Sequence, residues 1–386
     1  MNKKRFGFVS VVAVATLAIS AAVVPTATAA NKTITVWADE QRGPQLKSLI
    51  DGNTTIAPGY VIKVKFYASL DALTGAFDKA TAAAGPDVMT GPAGLAASAG
   101  KSGKLAPLTY SAVNKKEIPA AGIQAMTYKG KTYGVPLDVD TTAFMWNKAL
   151  NATAPTTFQG MVDYYTANKA SKGLTGGICA FEGAWGANAV LTALGGGAWG
   201  YKGNTPDLTN TLFNSAAFKA GKIPFGITGA WNMDGIAAAG VNIGLGATPG
   251  LTATTKGAQW VNYSGAYVTS FAAKHGVDLG AKKLVLGWFA SKEGQVLMSS
   301  ASSRPPANTA AGAIIKDSRT TGIANAAKTG TPQFSAILDN KAGGSNWYDV
   351  VGSAFTNIFV KGESVDKTLD DAAVILKKNF ADAAKN

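Results

Sequence analysis

Residues 34–90 alternate between strand-like and helix-like hydrophobic spacing, and this limits the fold more than any other feature of the 386-residue chain. ITVWA, residues 34–38, is a short, β-rich apolar run of the kind that forms a buried strand. DEQRGPQLKSLIDGN supplies a turn and a helix, and YVIKVKFYAS alternates apolar and polar residues as a second strand. LDALTGAFDKATAAA has helical spacing, and Pro86-Asp87 leads into a third strand at Val88-Met89-Thr90. Strand, helix, strand, helix, strand implies an α/β domain with a largely parallel sheet.

The pattern weakens further on and then resumes. MTYKGKTYGVPL reads as a hairpin turning on Lys129-Gly130-Lys131. GVPLDVDTTAFMWNKAL, residues 134–150, reads as a Gly-Pro turn, two aspartates and an aromatic strand. TTFQGMVDYYTANKA is a helix whose start is marked by Thr156 or Thr157. GAQWVNYSGAYVTSF is strand-rich, AKKLVLGWFASKEGQVLMSSAS is a helix pair, and the last sixty residues are mostly helical. No internal repeat is visible, and nothing divides the chain into two consecutive beads. A chain that crosses between two lobes more than once fits this better.

The first thirty residues read as a secretory signal peptide. Lys3, Lys4 and Arg5 precede an apolar run at residues 9–24, and Ala27-Thr28-Ala29 offers a small-x-small cleavage pattern. That run is shorter than the roughly 20 residues a membrane span prefers. No cysteine stands near the cleavage site, so no lipid anchor is expected. Cys179 is the single cysteine, too few for an internal disulfide, and packing as a small hydrophobe accounts for it. Without the leader the chain carries 33 basic and 23 acidic residues, a net charge near +10. The lysines are scattered and match no nucleic-acid-binding pattern, so the charge reads as a solvated surface.

Several kinds of chemistry find little support. His275 is the only histidine, and no nucleophile elbow lies near it, which argues against a hydrolytic triad. One histidine and one cysteine cannot supply a zinc shell, and Asp138-Val139-Asp140 does not continue into a calcium loop. No Gly-rich phosphate loop follows a strand, so no cofactor is expected. Asp138, Asp140 and Glu182 could in principle serve a glycosidase. The more informative signal is aromatic. Trp185, Trp199, Trp231 and Trp347 each sit beside glycines or turn residues, unlike Trp37, Trp146 and Trp288 inside apolar runs. Loop tryptophans make flat platforms on which sugar C–H faces stack while Asp, Asn and Arg bond the hydroxyls. For any one of them, packing explains the residue equally well.

Five blocks in order then resemble the sugar-binding proteins of ABC importers, specifically the maltose/maltodextrin-binding group. They are TITVWADEQRG, AAGPDVMTGPAGLAASAGKSGKLAPL, YKGKTYGVPLDVDTTAFMWNKAL, PFGITGAWN and WFASKEGQVLMSSASSRPPAN, and the resemblance runs from about residue 33 to the C-terminus. It implies a two-lobed periplasmic-binding-protein-like fold of type II, with three crossings and the ligand in the cleft. Lobe one would be residues 31–139 plus 262–308, and lobe two residues 140–261 plus 309–386. By this resemblance Asp140 is the acidic sugar ligand at the hinge, and Gln41 and Arg42 match the polar pair after the first strand. Glu182 matches an acidic ligand of the second lobe with Trp185 as a nearby stacking ring, and Trp231 and Trp347 match two further tryptophans. The implied partners are a small-molecule sugar and the membrane subunits of an ABC permease, with no nucleic acid, no enzymatic activity and a monomeric, exported chain.

The departures are also specific. After Pro86-Asp87 the maltodextrin pattern has a tryptophan and then an Asp-Arg pair, where this chain reads TGPAGLAA. The arginine expected four residues after Trp347 is Val351, and the segment between Trp199 and Phe218 is short. The first lobe would therefore grip its ligand differently. Within the binding class another disaccharide or small solute stays open as the ligand, and two rival functions stand beside it: a secreted glycan-active enzyme using two of the carboxylates, and an envelope-polymer binder using the basic surface.

Overall fold

The computed structural model describes residues 31–180, 224–333, 338–355 and 361–383, with residues 186, 188–190, 193, 201–202, 205–206 and 357 between them. The expected signal peptide lies outside the described residues, as do Glu182, Trp185 and Trp199. Residues 32–386 form one compact unit. The fold is mixed α/β, of the solute-binding-protein kind.

The expected opening pattern is present. Strand β1 (Lys32–Ala38) is followed by helix α1 (Gly43–Ile50), β2 (Tyr60–Phe66), α2 (Leu70–Lys79), β3 (Val88–Pro92) and α3 (Leu95–Lys101). β1 pairs in parallel with β2 and with β3. Side chains alternate across these strands, so each face builds its own core. Ile34, Val36, Ile62, Val88 and Leu284 pack on one face, and Trp37, Phe77, Met89 and Phe271 on the other.

The hairpin forms between β4 (Thr127–Tyr128) and β5 (Lys131–Thr132). Its turn residues Lys129 and Gly130 both have positive φ, 45° and 73°, as a tight two-residue hairpin requires. Thr157 caps the helix Phe158–Asn168 by accepting from the Gly160 N–H.

Residues 134–147 differ from the sequence expectation. No Gly-Pro turn is present: a single 14-residue strand, β6 (Gly134–Asn147), runs through both aspartates. At about 3.4 Å per residue it spans roughly 47 Å. Pro136 is tolerated because the register against the neighbouring strand shifts beside it, between Ser264 and Gly265, and a bulge asks for no regular ladder bond there.

β6 also changes partners along its length. Gly134–Thr141 pairs with a later strand, Trp260–Val268, whereas Thr142–Trp146 pairs with Phe225–Gly229. In chain order the intervening strands are β7 (Ile178–Ala180), β8 (Tyr201–Lys202), β9 (Thr205–Pro206), β10 (Phe225–Gly229), β11 (Ile243–Gly246), β12 (Thr248–Pro249) and β13 (Lys256–Gly257). They are followed by β14 (Trp260–Val268) and β15 (Thr331–Pro332). The main sheet has the order β2-β1-β3-β14-β6-β10-β7, with β11 on β6 and β15 on β14. Beyond Thr142 the two faces are again separate cores: Ala143 and Met145 pack with Met233, Ile236 and Ile323, and Phe144 packs with Met161, Phe225 and Ile227.

A third segment lies against β6. Val139 N–H donates to Pro305 O, and Ala307 N–H donates to Leu137 O. Residues 304–307 thus run beside β6, opposite the point where its two aspartates sit. Three stretches of chain, from β6, β14 and residues 304–307, converge there.

Candidate functional site

The turn after β1 is built by Asp39. Its Oδ1 accepts from the Gln41 and Arg42 amides at 3.0 and 2.8 Å, and its carbonyl accepts from Gly43 N–H at 2.8 Å. Gly43 is required here, because a Cβ would lie 2.1 Å from Phe66 Cβ. The turn directs Arg42 toward β6. Its Nε and Nη2 grip both oxygens of Asp138 at 3.2 and 3.0 Å, and its Nη1 binds Asp39 at 2.9 Å. Nη2 also reaches Asp140 at 3.4 Å and donates to the Ser264 hydroxyl of β14.

Arg304 enters from the third segment. Ser303, which precedes it, ends its helix in the left-handed region at φ 54°, and the Ser299 hydroxyl donates to the Arg304 carbonyl at 2.6 Å. The turn aims Arg304 at the cleft, where it donates to Asp140 and to the Gln41 amide oxygen. The Ser264 hydroxyl donates to the remaining Asp140 oxygen. Two guanidinium groups and three carboxylates thus form one buried network tying the first turn to all three converging segments.

Its electrostatics separate the two aspartates. Burial pushes the Asp140 carboxyl up, but the Arg304 and Arg42 guanidinium groups and the Ser264 hydroxyl outweigh it and hold it below the usual carboxylate range. Burial also pushes Asp138 up, and with the Asp140 charge close by, the attraction of Arg42 does not cancel the rise. Burial disfavours the Arg42 cation, but Asp138, Asp39 and Asp140 more than compensate, so its pKa lies above the ordinary value.

Above the network opens a cleft of about 370 Å³. Of the residues expected at the site, Gln41, Arg42, Asp140 and Trp231 line it together. Trp231 stands just after β10, with the Arg304 guanidinium carbon 6.0 Å from its ring centroid. Asp138 does not line the cleft; it serves as the counter-charge beneath it. Trp347 lies elsewhere. It opens the helix Trp347–Phe355, is fully buried, and meets Trp260 edge-on at 5.9 Å. In this structure it packs a core and offers no open face. Glu182 and Trp185 are outside the described residues.

Sequence reasoning missed Asp39, Glu40, Asn262, Ser264, Arg304 and Gln333, all of which line the cleft. Arg304 carried a signal: only Arg42, Arg304 and Arg319 follow the leader, so arginine is rare where lysine is plentiful. Arginine rather than lysine marks places that need a planar, many-donor cation. Among the described residues, no group of His, Cys, Asp and Glu is arranged to hold a metal ion.

His275 is held between two partners outside the cleft. One ring nitrogen meets Asp87 at 2.7 Å and the other meets the Ala82 carbonyl. The bond to Asp87, with help from Ala82, raises its pKa.

A family model described as bacterial extracellular solute-binding protein matches residues 57–327. No curated protein matches the chain.

Proposed function

Because the chain belongs to the bacterial extracellular solute-binding proteins of ABC importers, we propose that it captures a neutral sugar or oligosaccharide in the cleft beside Trp231. The resemblance favours maltose or a maltodextrin, delivered to the importer's membrane permease. The observation that carries this is the pairing of an accessible tryptophan with cations already satisfied by the protein. Arg42 and Arg304 direct their donors at Asp39, Asp138, Asp140, Gln41 and Ser264. Little positive charge remains to attract an anion, whereas a ring face and mixed donors and acceptors suit an uncharged polyol.

Capture proceeds by closure of two lobes, residues 31–139 plus 262–308 against residues 140–261 plus 309–386. The partner switch within β6 at Thr141–Thr142 supports this partition. Ligand touching both lobes stabilises the closed form over the open one, and only that differential affinity shifts the population. Residues 1–30 direct export, and the mature protein acts as a monomer. Binding is the simpler chemistry for Asp140, since hydroxyl recognition by a carboxylate needs no raised pKa and no second acid.

The test is intrinsic tryptophan fluorescence titrated with a sugar panel led by maltose and maltotriose. A saturable response with no product formed is the expected result, and Trp231→Ala should weaken it by about 1–3 kcal/mol. Silence across the panel would remove sugars while leaving the family assignment intact. Product formation would favour the glycan-active enzyme.

A further inference from the structure

Asn262 and Gln333 line this cleft and also a second cavity of about 380 Å³ beside it. Its chemistry is different. Its lining combines Ala93 just before α3, Ala97 within it, and Ala121 and Ala125 of the helix Ala120–Ala125 with uncharged polar residues such as Gln124 and Thr127. None of the residues lining it is charged, in contrast to the network under the first cavity.

This is the region where TGPAGLAA replaces the aromatic and charged residues of the maltodextrin pattern. A sugar hydroxyl turned toward the methyl groups of Ala93, Ala97, Ala121 and Ala125 would find no side-chain partner there, which costs free energy. A hydrocarbon chain laid along those alanines would lose no hydrogen bond to them and would displace water from the apolar part of the lining. At about 380 Å³ the cavity far exceeds the space that one water needs, so a chain of several carbons fits.

We propose that the ligand is amphiphilic: a polyhydroxyl head held beside Trp231 and Asp140, carrying an apolar alkyl or aryl substituent that lies in the alanine-lined cavity. This rests on the sugar-capture function proposed above. Asn262 and Gln333 mark the junction, polar groups placed where head and tail meet.

The experiment compares maltose and glucose with their methyl, butyl and hexyl β-glycosides, all below micelle-forming concentrations. Affinity should rise with chain length, by about two- to fourfold for each methylene buried. Ala97→Trp should abolish that gain while leaving the affinity for the free sugar within twofold. Ala121→Trp, at an exposed rim position where folding is not at risk, should reduce it. Free sugar binding with no dependence on chain length would overturn the inference and leave sugar capture standing. A gain that survives both variants would place the tail elsewhere and also overturn it. No binding by any member of the series would overturn sugar capture and the inference together.

Discussion

Gly229→Ala tests whether the Trp231 ring is held in place by the residue beneath it. Gly229 ends β10, and a Cβ built on it would lie 2.2, 2.3 and 2.6 Å from three atoms of the Trp231 ring. Contacts that short do not persist, so something must move. The backbone has no reason to: Gly229 sits at φ −104° and ψ −174°, extended geometry that alanine adopts freely. The ring is the mobile partner, and swinging it away takes it off the cleft floor and from Arg304. Losing the stacked face should weaken sugar binding by about 1–3 kcal/mol, roughly 5- to 150-fold in Kd. Stability should change by no more than about 0.5 kcal/mol, because no core cavity or orphaned charge is created. Fluorescence titration measures the first quantity and urea unfolding the second. The decisive comparison is the double variant with Trp231→Ala, where the added methyl has no ring to displace and should cost nothing further. Undiminished loss in that background, or wild-type affinity in folded Gly229→Ala, would refute the steric account.

Three further outcomes follow from the charged groups. Arg42→Met strips Asp39, Asp138 and Asp140 of a shared partner and should destabilise the protein by about 3–5 kcal/mol in urea at pH 7, with a smaller deficit in acid as Asp138, whose carboxyl burial already pushes up, takes a proton. Asp140→Asn removes the charge that anchors Arg304 and should weaken sugar binding by about 1.5–3 kcal/mol by titration, whereas an unchanged Kd would exclude Asp140 from recognition. His275→Gln should matter most in acid. The raised folded-state pKa means the His275–Asp87 pair adds stability fully below the unfolded value of about 6.5 and loses it as pH rises through the folded value. The difference in thermal midpoint between wild type and variant should therefore shrink from pH 5.5 to pH 9, and a difference that grew with pH would contradict the assigned partner.

Legibility in the sequence followed the range of the forces involved. The opening β1–α1–β2–α2–β3 run was readable because its periodicity is local, and the Lys129-Gly130 turn because its backbone needs positive φ. Pro136 misled, since it marks a turn by local rules and is accommodated only because β14 shifts register beside it. Trp347 misled for a similar reason. Its neighbours Ser345 and Asn346 read as a loop, yet burial against Trp260 and Val350 is decided by residues distant in sequence. Gln41, Arg42, Asp140 and Trp231 were legible through ordered motifs and do line one cleft. Asn262 and Ser264 were not, because WVNYSGAYV reads as an ordinary alternating strand until one knows that its polar face opens on the cleft.

In the proposed capture mechanism the ion network makes recognition and closure depend on the same residues. Arg42 from the first turn joins Asp138 and Asp140 on β6 to Ser264 on β14, and Arg304 on the third segment joins them through Asp140. Any motion of one half of the sheet against the other bends strands that this network holds at a single place. Its own charges nearly balance, so the proposed neutral ligand would enter without disturbing them, and the proposed closure would be driven by contacts on both sides of the crossing. Moving a closure equilibrium from 1:99 to 99:1 takes about 5.5 kcal/mol of differential affinity. A stacked ring worth about 1–3 kcal/mol and hydrogen bonds worth about 0.5–1.5 each reach that sum only with several bonds made in the closed form alone. In the proposed lobe division Gln41 belongs to lobe one and Trp231 to lobe two, so a sugar spanning the two would meet this requirement, whereas a solute touching one of them would bind without closing the protein.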